Sequence, residues 1–81
     1  MSCKLSNIPL KKFRKFLLHV GLKQMDNTRG RGGHEKWTRS DLLRPVTLQN
    51  HISPVPEFIV KQILRQLSIS RASFCQILKE L

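Results

Sequence analysis

Residues 45–67 run Pro45-Val46-Thr47-Leu48-Gln49-Asn50-His51-Ile52-Ser53-Pro54-Val55-Pro56-Glu57-Phe58-Ile59-Val60-Lys61-Gln62-Ile63-Leu64-Arg65-Gln66-Leu67, and their hydrophobic period changes part-way along. Val46 and Leu48 alternate with Thr47 and Gln49, the two-residue period of a strand with one face buried. Ser53-Pro54-Val55-Pro56 stops that pattern. Beyond it Ile59, Val60, Ile63, Leu64 and Leu67 recur at helical spacing, opposite Lys61, Arg65 and Gln66. A strand handing over directly to an amphipathic helix predicts an α+β domain, with helices laid on one face of a sheet.

Upstream, the turn residues divide 22–51 into three strands: Leu22–Thr28, His34–Arg39 and Pro45–His51. Arg29-Gly30-Arg31-Gly32-Gly33 supplies the first turn and Ser40–Arg44 the second, which suits a three-stranded antiparallel meander. Before it, Leu10, Phe13, Phe16, Leu17 and Val20 fall on one helical face within Ser6–Gly21, with Lys11, Lys12, Arg14 and Lys15 on the other. Ser6 or Asn7 is the expected cap of this helix, Pro9 suits its first turn, and Gly21 is its natural stop. Downstream, Ser70 caps a short terminal helix. Ile69 and Phe74 take the hydrophobic-staple spacing around that cap, and Ile77, Leu78 and Leu81 continue the stripe.

The 81 residues support one domain, 1–81, and 15 Lys+Arg against 5 Asp+Glu give a net charge of +10. A cationic surface of this density selects polyanions, nucleic acid first. Residues 1–40 hold ten Lys/Arg and two acids, and residues 41–81 five and three, so +8 lies in the first half. No run of about 18 apolar residues exists to cross a bilayer. Cys3 and Cys75 stand in no metal or redox spacing, and the first residues lack a signal-peptide core. The expectation is two free thiols, with Cys75 semi-buried, in a reducing cytoplasm.

Chemistry concentrates in Arg29-Gly30-Arg31-Gly32-Gly33-His34-Glu35-Lys36-Trp37. Glycines allow close approach of backbone to a ligand, and His34 begins a strand with the one side-chain type that titrates near neutrality. An imidazole there is suited to move a proton at a ribose 2′-hydroxyl or a leaving oxygen, and Arg29, Arg31, Lys36 and Arg39 to neutralise a phosphate in flight. The loop lacks the Lys-Ser/Thr ending of a Walker loop and the βαβ setting of a dinucleotide fingerprint, so no nucleotide cofactor is expected, nor a metal. Lys11, Lys12 and Lys15 fit either a solvated helix face or a track for RNA backbone. His19 is placed to interact with its helix dipole. Trp37, three residues from His34, belongs to the opposite sheet face and so to the core. Phe58 falls off the main apolar face of its helix.

The arrangement resembles the HicA family of toxin–antitoxin mRNA interferases across nearly the whole chain. The resemblance is carried by the leading helix ending at Gly21-Leu22, Gly32-Gly33-His34 running into Glu35-Lys36-Trp37, the strand Pro45–His51, and Ile63-Leu64-Arg65-Gln66-Leu67 before Ser70. It implies a double-stranded-RNA-binding-like α-β-β-β-α fold with a short extra helix, and a metal-independent endoribonuclease with His34 as its catalytic residue. It also implies mRNA as substrate and a HicB-type antitoxin as partner. His51 matches a recurrent family position and is a secondary candidate. One departure is Gly33, where the family usually has Ser or Thr. Two other readings stand beside it: a non-catalytic RNA-binding module of the same fold, and a helix-turn-helix over Glu57–Leu81 offering Arg71, Ser73 and Gln76 to DNA.

Overall fold

The computed structural model describes residues 4–25, 34–49 and 51–81. Its elements follow the order α1 (Leu10–His19), β1 (Lys23–Gln24), β2 (His34–Thr38), β3 (Val46–Gln49), α2 (Glu57–Leu67) and α3 (Arg71–Lys79). The strands form one antiparallel sheet in the order β1-β2-β3. The expected α+β domain with a three-stranded meander is therefore present. The third strand and both later helices lie close to their expected positions; β1 covers Lys23–Gln24, and residues 26–28 of the expected first strand lie outside the described residues. Lys23 and Gln24 are both exposed and pair only with Thr38 and Trp37, so no alternating burial extends this edge strand. The Met25 N–H still reaches the Lys36 carbonyl at 2.7 Å.

Register divides the sheet into two faces. Glu35, Trp37, Val46 and Leu48 point to the covered face and are buried, while His34, Lys36 and Thr47 are exposed on the open one. The covered face meets Phe13, Phe16 and Leu17 of α1, Val60, Ile63 and Leu67 of α2, and Phe74 of α3 in one continuous core. Phe74 is fully buried and stands edge-on to Phe16, with ring centroids 4.6 Å apart at 90°. Phe13 lies 5.5 Å from Phe16 and 6.1 Å from Phe74, so three rings from α1 and α3 form the centre. Trp37 is core, as its parity requires, and Phe58 stays largely exposed.

Neither Ser6 nor Asn7 caps α1. Pro9 holds the cap position, and the N–H of Leu10 is satisfied instead by the Ser53 hydroxyl, 3.2 Å away and 43 residues downstream. A second tie joins the same segments, since the Val55 N–H donates to the Ile8 carbonyl in an isolated bridge. At its other end α1 stops at Gly21 as expected. Gly21 has φ +91°, and the N–H groups of Gly21 and Leu22 bond back to Leu18 and Leu17 in a Schellman closure. Helix α2 closes the same way with Ser68 at φ 58°. A side chain costs energy there that glycine avoids. Ser68→Gly is expected to stabilise the domain by about 0.5–1 kcal/mol, seen as a rise of about 4–8 °C per kcal/mol in thermal melting. The cap of α3 is the expected one: Ser70 Oγ accepts from the Ser73 N–H at 3.1 Å, and Ile69 packs against the same core as Phe74.

Cys75 is disulfide-bonded, which corrects the expectation of a free thiol at that position; Cys3 lies outside the described residues. No helix among the described residues is long and apolar enough to cross a membrane.

Candidate active site

β2 is the central strand, paired with β3 from His34 to Trp37 and with β1 at Trp37 and Thr38, so its side chains alternate between the two faces. His34 opens it, exposed on the uncovered face and directly opposite Gln49 of β3. His51 lies just past the end of β3, in a turn and not in the strand itself. Antiparallel pairing brings the end of β3 to the start of β2, and the two imidazoles lie with ring centroids 6.4 Å apart and planes tilted by 38°. At that separation both rings can reach, with hydrogen bonds of about 2.8 Å, the oxygens of one phosphate lying over the open face. Both rings are exposed, so a ligand could reach them without displacing core residues.

Lys36 shares the open face with His34, two residues along the same strand and opposite Thr47. The other expected phosphate contacts divide differently. Lys11, Lys12 and Lys15 point outward from α1, whose buried side packs on the covered face, so the sheet separates them from the histidine pair. Arg39 is half-buried and committed elsewhere. Its guanidinium donates to the Val20 carbonyl at 2.6 Å and to both Asp41 carboxylate oxygens, at 2.5 and 3.1 Å. It straps the end of β2 to the end of α1. The hydrogen bond from Arg39 holds the Asp41 carboxyl below its ordinary range, and the same bond raises Arg39. That strap contributes above the usual Asp pKa and is lost as pH falls through the lowered one. Arg29 and Arg31 lie outside the described residues, as does Gly33.

Glu35 was not expected as a structural residue. It is buried, paired with the Arg14 guanidinium through both carboxylate oxygens, and its Oε1 also accepts from Trp37 Nε1–H at 3.1 Å. Arg14 sits at the border of the apolar arc of α1, not on its solvated face, and so reaches under the sheet. The pair fastens α1 to the strand that carries His34. Glu35→Ala strands a guanidinium and an indole N–H together. We expect it to cost about 2–3 kcal/mol in urea denaturation, below the usual loss for a fully buried pair because Arg14 keeps partial contact with water. Arg14→Met/Glu35→Met should cost less than Glu35→Ala alone.

An open groove of about 960 Å³ begins beside Gln49 and runs along β3. Lys36, Thr47 and Gln49 form its floor, α2 its one wall through Ile59, Gln62, Arg65 and Gln66, and the β2–β3 connection its other through Leu43 and Arg44. Gln66 Nε2 donates to the Arg44 and Pro45 carbonyls at 3.1 and 3.2 Å, which pins the two walls together. Among the described residues no group of three or more His, Cys, Asp or Glu is arranged to hold a metal.

No protein-family model, curated protein or solved structure matches this chain.

Proposed function

We propose that this chain is a HicA-like mRNA interferase, a double-stranded-RNA-binding-like α-β-β-β-α domain with an added terminal helix. The observation that carries the reading is the His34–His51 pair on the open face, 6.4 Å between ring centroids, with Lys36 beside it. RNA brings its own nucleophile, so the reaction needs a proton acceptor, a proton donor and charge neutralisation, with no metal required. One imidazole removes the 2′-hydroxyl proton as that oxygen bonds to the adjacent phosphorus. The bond from phosphorus to the 5′-oxygen breaks, and the other imidazole protonates the departing oxygen. The products are a 2′,3′-cyclic phosphate and a 5′-hydroxyl. Lys36 offsets the charge that builds on the phosphate.

His51 thus moves from a secondary candidate to an equal partner. A HicB-type antitoxin would inhibit by covering the histidine pair. Action on mRNA assigns the protein to the cytoplasm, where the disulfide at Cys75 would meet reducing conditions. The test is incubation of mRNA with the protein in EDTA, followed by analysis of the ends produced. Cleavage leaving cyclic phosphate, lost in His34→Ala, supports the reading. Intact RNA that is nevertheless bound with strong salt dependence supports the non-catalytic RNA-binding module instead.

A further inference from the structure

We propose that the groove between α2 and the β2–β3 connection is a subsite for single-stranded RNA, holding the nucleotides on one side of the bond that is cut. The inference rests on the ribonuclease reading for its orientation, and on the groove itself for its chemistry. Gln49 joins the two: it stands opposite His34 in the sheet register and lines the groove. A strand leaving the histidine pair would pass over Gln49 into the groove.

The charges in the groove are one-sided. Lys36, Arg44 and Arg65 line it, and its one acid, Asp41, is bound to Arg39. On α2 the nearby Glu57 pairs with Lys61. The second half of the chain looked almost balanced in sequence, yet Arg44 and Arg65, 21 positions apart, converge on one channel. Its length and shape favour a single strand. From Pro45 to Gln49 the floor extends about 13 Å at the rise of a β-strand, and two walls flank it where a duplex would need an open surface. Leu43, fully exposed, and the half-buried Ile59 offer apolar surface to unstacked bases, which a duplex does not present. The Gln66 bonds fix both walls in advance, so binding orders little protein.

The experiment measures fluorescence anisotropy of the full chain with a short 2′-O-methyl RNA, which lacks the nucleophile and stays intact, across a range of salt. Arg44→Ala/Arg65→Ala is expected to weaken binding about tenfold and to lower the salt slope by about 1.4, two single-strand phosphates. Lys11→Ala/Lys15→Ala on the far side is expected to leave the slope near wild type. Thermal melting of each variant confirms that the fold is kept. Unchanged affinity and slope in the groove variant, or preference for a duplex of equal length, would overturn the proposal. Cleavage is scored separately with unmodified RNA. Groove-dependent binding without cleavage retains the subsite and removes the ribonuclease reading; cleavage with groove-independent binding does the reverse.

Discussion

Wild-type protein is expected to cut single-stranded RNA in EDTA, and His34→Ala and His51→Ala are each expected to slow cleavage by about 10²–10⁴-fold. The prediction follows from two exposed imidazoles 6.4 Å apart, close enough for both to act on one phosphate. Because both act on one transition state, the double variant should be much less impaired than the product of the single losses. The wild-type pH–rate profile should be bell-shaped, since one ring must be neutral and the other protonated. Each single variant should lose one limb of the bell. Equal rates for His51→Ala and wild type would remove His51 from the chemistry, and equal rates for His34→Ala would remove the mechanism altogether.

Phe74→Ala is expected to cost about 3–5 kcal/mol. Against a total stability of about 4–12 kcal/mol for a chain this short, that removes at least about a quarter of it. The ring is wholly buried between Phe13 and Phe16 and is the only fully buried side chain that α3 contributes to the core. Removing it empties the centre of the domain and discards two edge-on ring contacts, each worth about 0.5–1.5 kcal/mol. Urea titration followed by tryptophan fluorescence would report the loss, since Trp37 lies in the same cluster. Phe74→Leu keeps most of the volume and should cost less than half as much. A midpoint for Phe74→Ala close to wild type would mean that α3 is not part of the cooperative unit.

The parts legible in the sequence are those whose side chains alternate cleanly between core and water. Phe13, Phe16 and Leu17 announced α1, Val46 and Leu48 announced β3, and Ile63, Leu64 and Leu67 announced α2. Edge strand β1 has no buried residue to mark its length. Glu35 carried a usable signal that its charge concealed: it shares parity with Trp37, so a strand that buries the indole buries the carboxylate too. Arg39 stands two residues before Asp41, close enough for the pair to close locally, and that spacing was available in the sequence. The approach of His51 to His34 depends on register, which fixes the facing residues only once the strands are paired. Arg44 and Arg65 had no local signal at all. They meet because α2 runs back along β3, a fact of tertiary packing.

The Ser53 cap on α1 has a bearing on synthesis. During synthesis α1 waits for a hydroxyl made 43 residues later, and the Ile8–Val55 bridge waits slightly longer. Contacts of such separation form late, after chain entropy has been spent on closing the loop between them. A chain ended by mRNA cleavage or stalling before Ser53 would therefore hold most of its positive charge without a finished fold. Only copies extended past Val55 assemble the histidine pair on a sheet whose first helix is fully tied down.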